Sequence, residues 1–126
     1  GRLNVEMEDV YELFQRGMRQ LEAGDFNQAT VPLRKAAAIE PEKTSIREAL
    51  GRAYFRSRQY AEAAVEFEAV VERAPTNDYA LFCLGRALME SGRPAEARKP
   101  LVLAATLRPD RRDYRIYRDR ARARAA

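Results

Sequence analysis

The sequence predicts an all-α protein of three stacked helical hairpins closed by a C-terminal helix, and three observations carry that prediction. "LGRAYFRSRQYAEA", starting at Leu50, and "LGRALMESGRPAEA", starting at Leu84, are near copies offset by 34 residues. The same offset relates Gly17, Gly51 and Gly85, then Ala29, Ala63 and Ala97, then Pro41, Pro75 and Pro109, with Leu33, Phe67 and Leu101 each four residues after the alanine. Several residue types sharing one period across three copies are the mark of a repeat architecture. Finally, apolar residues recur at helical spacing, with no sustained period-two alternation to suggest strands.

Residues 1–9 read as an N-terminal extension, and "GRLNVEMEDV" has no apolar signal-peptide region. The first repeat, 10–43, keeps Leu13, Gly17, Ala29, Leu33 and Pro41 and turns at Gly24. Its Arg16 and Gln20 are polar, as suits an end unit with one solvated side. The middle repeat, 44–77, has Ser45 and Glu48 at capping-box spacing, followed by Leu50, Ala53 and Tyr54. Ser57-Arg58-Gln59 breaks that helix, and a second stripe runs through Ala63, Ala64, Phe67, Val70 and Val71. Pro75 then ends the repeat, because proline cannot continue a helix and disfavours helix in the residue before it. The third repeat, 78–111, carries Leu81, Leu84, Gly85 and Leu88, turns at Gly92, and continues with Ala97, Leu101 and Pro109. Pro32 and Pro100 share one repeat position inside a second helix, where the middle repeat has Glu66. An interior proline costs a helix about 3 kcal/mol, so both helices are expected to kink there.

Residues 112–126 supply a polar lid, which a stack of hairpins needs at its open end. Tyr114, Tyr117 and Ala121 fall on one helical face, and Arg111, Arg115, Arg118 and Arg122 form another stripe. The net charge of +4 resides in this region. Residues 108–126 hold eight Arg against three Asp, or +5, while residues 1–107 hold 15 basic and 16 acidic residues, or −1. An argument for nucleic acid therefore rests on the tail alone.

This pattern resembles the tetratricopeptide repeat (TPR) family, which has Leu-Gly, Tyr three residues after the Gly, a later Ala-x3-Phe and a terminal Pro. The middle repeat matches at Leu50, Gly51, Tyr54, Ala63, Phe67 and Pro75, and the third at Leu84, Gly85, Leu88, Ala97, Leu101 and Pro109. Arg47 departs from it, standing where a large apolar residue is usual. The resemblance covers residues 10–111. It implies a right-handed α-solenoid with a C-terminal capping helix, acting as a protein-binding scaffold whose concave face is lined by the first helix of each repeat.

The residue inventory argues against catalysis. The chain has no histidine, so the usual base near neutral pH is missing. Its one cysteine, Cys83, has no histidine partner for a thiolate pair, and one Cys without His makes no zinc ligand set. The internal glycines belong to the repeat or its turns, leaving no phosphate-binding loop. No catalytic residue, metal or cofactor is expected. A single cysteine fits a reducing compartment, and no apolar run approaches the roughly 20 residues that span a bilayer, so a cytoplasmic location away from membranes is expected.

Mapping the concave face by repeat position gives Tyr11, Phe14 and Met18 in the first repeat, Arg52, Phe55 and Arg56 in the second, and Tyr79, Phe82, Arg86 and Met89 in the third. Arg52 and Arg86 lie 34 apart, and Arg120 continues the series in the tail. Arginine offers forked donors for carboxylates and stacks on aromatic rings. Aromatic residues add large anchors. The expected ligand is a protein or peptide segment with acidic and bulky apolar residues. Against this stands simple pairing within a helix, since Glu48 precedes Arg52 by four residues and Glu90 follows Arg86 by four. Some TPR domains hold a chaperone's C-terminal carboxylate through Lys and Asn; the matching places here hold Phe14, Met18, Ala49, Tyr79 and Cys83, which build no such clamp. Nucleic-acid contact through the Arg-rich tail and self-association through the groove or the ends of the stack are the alternatives.

Overall fold

The computed structural model describes residues 9–125, and among them it contains seven α-helices and no strand. They are α1 (Val10–Glu22), α2 (Phe26–Ile39), α3 (Thr44–Arg56), α4 (Tyr60–Arg73), α5 (Asp78–Glu90), α6 (Pro94–Leu107) and α7 (Arg112–Ala125). The α1–α2, α3–α4 and α5–α6 pairs form hairpins, each helix packs on the next in the chain, and α7 closes the stack against α6 and α5. The architecture is an all-α solenoid of three hairpins with a C-terminal cap.

The repeat period has a steric cause. A Cβ on Gly17 would lie 2.5 Å from Leu33 Cδ2, one on Gly51 2.9 Å from Phe67 Cζ, and one on Gly85 2.5 Å from Leu101 Cδ2. Each glycine thus lets the first helix close onto a bulky residue of its own second helix. Leu33, Phe67 and Leu101 are all buried, as are Ala29, Ala63 and Ala97. The result is one continuous apolar core from Leu13 to Ala121.

The turn inside each hairpin is the same motif three times. Gly24 (φ +83°), Arg58 (φ +64°) and Gly92 (φ +75°) take the left-handed conformation. The next amide in each case reaches back to close the helix: Asp25 to the Gln20 carbonyl, Gln59 to Tyr54 and Arg93 to Leu88. Between hairpins, the amides of Lys43, Asn77 and Arg111 bond the carbonyls of Glu40, Ala74 and Arg108. That turn starts α3 at Thr44 with Lys43 at the cap position and no side-chain cap bond, so the expected Ser45–Glu48 capping box does not form. The reason is register: the turn puts the cap at 43, and Ser45 falls inside the first helical turn. In α5 the same position is Asn77, whose side chain does accept from the Ala80 amide at 3.1 Å.

Pro32 and Pro100 are both buried, and α2 and α6 run unbroken through them. Their place in the middle hairpin is taken by Glu66, which is also buried and accepts from Arg47 Nη1 at 2.7 Å. Arg47 Nε donates to the Pro41 carbonyl at 2.8 Å. By repeat position Arg47 replaces Leu13 and Leu81, so Leu–Pro in the outer hairpins is exchanged for Arg–Glu in the middle one. Arg115 of α7 stands at the same position as Arg47 and likewise donates to a proline carbonyl, that of Pro109.

Candidate functional site

A cleft of about 650 Å³ runs from the turn of the first hairpin to the start of α7. Its walls are the C-terminal ends of α1 and α3 and the stretch of α5 from Tyr79 to Arg86. Four arginines line it, Arg52, Arg56, Arg86 and Arg111, against two carboxylates, Glu22 and Asp113. Arg111 is engaged with Asp113 through two hydrogen bonds of 3.1 and 2.7 Å. Arg52, Arg56 and Arg86 form no ion pair among the described residues, and the expected pairs Glu48–Arg52 and Arg86–Glu90 are not made.

Two of these guanidinium groups, and that of Arg120 in α7, are held by rings. Arg56 lies 4.3 Å from the Phe26 ring centroid. Arg86 lies 4.9 Å from Phe55 and 4.6 Å from Tyr117, with Phe82 at 5.9 Å. Arg120 lies 4.8 Å from the same Tyr117 ring. A ladder of alternating ring and cation, Phe55–Arg86–Tyr117–Arg120, therefore crosses the middle hairpin, the third hairpin and the cap. Arg86 Nε is buried and has no hydrogen-bond partner. Stacking on a ring's negative face stabilises such a cation by roughly 0.5–2 kcal/mol while leaving the edge of the guanidinium available.

Two further groups face the cleft in neutral form. Burial, and then the neighbouring Cys83, push the Tyr79 hydroxyl up to about 12. Burial pushes the Cys83 thiol up to about 11, against the opposing pull of Tyr79, Arg86 and Arg52. Neither adds negative charge to the arginine wall near neutral pH.

Of the residues mapped from sequence, the cleft gathers Arg52, Phe55, Arg56, Tyr79, Phe82 and Arg86. Phe82 is mostly core: only 8 % exposed, it packs on Tyr114 at 4.5 Å and Tyr117 at 5.5 Å. Met89 is 4 % exposed and belongs to the core, not the groove, since a flexible apolar side chain gains by filling the space between hairpins. Phe14 and Met18 are half-buried against the core, and Tyr11 is 68 % exposed at the start of α1; none of the three lines the cleft. Arg120 is exposed and reaches the ladder only through Tyr117.

Sequence reasoning missed Phe26, Arg111, Asp113 and the part played by Tyr117. Phe26 had a signal. It opens a second helix, as Tyr60 does one repeat later, and both rings meet a cleft residue: Phe26 meets Arg56, and Tyr60 meets Phe55 at 5.1 Å. Among the described residues no group of acidic or Cys side chains is arranged to hold a metal, and no helix is long and apolar enough to cross a membrane.

Comparison with known proteins agrees with this architecture. The chain is similar to the solved structure of MamA MSR-1 at 26% identity and a TM-score of 0.84, over 90% of this chain and 66% of that one, just under two thirds of its length. It also resembles the first TPR of Spaghetti (RPAP3), solved with an HSP90 peptide, at 19% identity and a TM-score of 0.82, over 93% of this chain and 94% of that one. The Sgt2 TPR domain from Aspergillus fumigatus aligns at 16% identity and a TM-score of 0.78, over 93% of this chain and 79% of that one. At such identities the last two speak for the fold alone. A comparison with curated protein sequences finds no match. The tetratricopeptide repeat family model matches residues 14–78 and again 48–113, most of the chain. With its 34-residue period, glycine-mediated hairpins and capping helix, the chain belongs to the tetratricopeptide repeat family.

Proposed function

We propose that this protein is a non-catalytic scaffold that binds a protein or peptide segment, acidic and apolar in character, in the cleft along its first helices. The observation that carries the reading is the cluster of Arg52, Arg56 and Arg86, none ion-paired among the described residues, set among Phe26, Phe55 and Tyr79 in one concave space. Cations left without counter-ions in a concave cleft favour anionic partners, and the rings offer anchoring area. The RPAP3 TPR, which shares this fold, is solved with a bound HSP90 peptide, so peptide binding is one use of the fold in that protein. An affinity of about micromolar, roughly −8 kcal/mol, is expected for a short segment.

The tail supports a structural role more than a phosphate-binding one. Arg111 pairs with Asp113, Arg118 and Arg122 approach Asp119, Arg115 bonds the Pro109 carbonyl and Arg120 stacks on Tyr117. Capture of partners from nuclease-treated lysate, by the full chain and by Arg52→Glu/Arg86→Glu of equal helicity, tests both readings. A protein retained by the wild type, lost by the variant and bound directly when purified is the expected result. Equal retention by both would move binding away from the cleft. Capture abolished by nuclease alone, and falling steeply with salt, would transfer the function to the tail.

A further inference from the structure

The three ring-stacked arginines Arg56, Arg86 and Arg120 have unequal surroundings. Arg56, which lines the cleft, and Arg120, which does not, are exposed, each against one ring. Arg86 is half-buried, lies within 5 Å of both Phe55 and Tyr117, and has a buried Nε that bonds nothing. A guanidinium held on its faces with Nε enclosed presents the Nη end, a geometry suited to the two oxygens of a carboxylate. Cys83 and Tyr79, one and two turns back on α5, flank it as neutral groups. The cleft extends to both sides of Arg86, toward Leu21 and Phe26 in one direction and Arg111 in the other, which leaves room for a chain to continue past it.

One of the two close rings comes from outside the repeats. Tyr117 belongs to α7, which is tied to the third hairpin by Tyr114, wholly buried and hydrogen-bonded to Asp78 at 2.7 Å. The capping helix thus touches a cleft-lining arginine through Tyr117 as well as covering the core.

We propose that Arg86 is the residue that reads a side-chain carboxylate of the bound segment, and that Tyr117 of the capping helix is the positioning residue that fixes it for this task. The inference rests on the cleft being the binding surface, and the test separates the two ideas. A library of acetylated, amidated octapeptides is selected on the immobilised full chain, so that neither peptide terminus supplies a charge. Selected peptides are expected to carry Asp or Glu beside a bulky apolar residue. Exchanging that Glu for Gln should weaken binding to the wild type about tenfold.

Against Arg86→Met the Glu and Gln peptides should bind alike. Against Tyr117→Leu the preference for Glu should fall about fivefold, and Tyr117→Phe, which keeps the ring, should restore it. The Arg86 Nε–H proton resonance, shifted upfield by the two rings, should move toward the free-arginine position in Tyr117→Leu and stay in Tyr117→Phe, a readout independent of any peptide. A Glu preference that survives Arg86→Met, or that is the same in Tyr117→Leu as in wild type, overturns the proposal. Selected peptides that lack acids but lose binding in Phe55→Ala overturn it while leaving the cleft as the binding surface. Selected peptides indifferent to both Phe55→Ala and Arg52→Glu overturn both.

Discussion

Arg58 sits at φ +64° where the outer hairpins use glycine, and it is the one described non-glycine residue at positive φ. The left-handed conformation costs an L-residue with a Cβ roughly 1–2 kcal/mol, partly offset by the greater freedom glycine has when unfolded. Arg58→Gly should therefore raise stability by about 0.5 kcal/mol, read as a higher urea midpoint with an unchanged slope. Gly51→Ala should do the opposite. Helix propensity favours alanine by about 1 kcal/mol, but the new methyl would meet the ring of Phe67, 1 % exposed and without room to retreat, and overpacking costs about 1–3 kcal/mol. A net loss near 1 kcal/mol is expected. An alanine variant more stable than wild type would mean the ring moves freely. These glycines were legible in the sequence because a steric demand that recurs every repeat leaves a periodic signal. Met89 was not, because its position is filled by half-exposed Phe55 in one repeat and by a buried side chain in the next.

At the scale of the helix pair, the exchange of Leu–Pro for Arg–Glu explains two departures from the repeat at once. Arg47 alone looks like a defect in an apolar position and Glu66 alone like a buried charge, but together they satisfy each other at 2.7 Å with side chains 24 % and 10 % exposed. Removing one partner leaves the other charge poorly solvated, so Arg47→Leu should cost about 2–3 kcal/mol in urea unfolding. Arg47→Leu/Glu66→Leu should recover most of that loss, because a buried pair contributes little over packed apolar side chains. A double variant as unstable as the single one would show that the Arg47–Pro41 bond, not the pair, holds the hairpin. The sequence made the hairpins legible through period and turn residues, since both arise from contacts close along the chain. The Arg47–Glu66 pairing lay nineteen residues apart and carried no repeat copy to expose it. The cleft was legible in the same partial way: the first-helix residues Arg52 and Arg86 follow the period, whereas Phe26 and Tyr117 enter from a second helix and from the cap.

For the whole molecule, the cap is a fourth first helix altered to face water. At the Leu-Gly position of the repeats α7 carries Arg118 and Asp119, while Tyr114 plugs the third hairpin from 0 % exposure. Burial first, and then the hydrogen bond to Asp78, hold the Tyr114 hydroxyl well above the usual phenol range. A folded-state value raised above the unfolded value of about 10 means that the phenol's contribution is complete below pH 10 and is lost as pH rises beyond it, since the unfolded chain gives up the proton first. Tyr79 and Cys83, at about 12 and about 11, act in the same direction. Stability should therefore decline on the alkaline side, beginning where the unfolded thiol titrates, at about pH 8.5. Tyr114→Phe should cost about 1–2 kcal/mol at pH 7 by removing a bond to a charged acceptor, and the gap to wild type should narrow at pH 11. Urea unfolding at the two pH values reads this directly. A gap of the same size at both would mean that Tyr114 holds the cap by its ring alone, and an absent gap at pH 7 would mean that Asp78, with Arg108 4.0 Å away, gains as much from solvent as from the phenol.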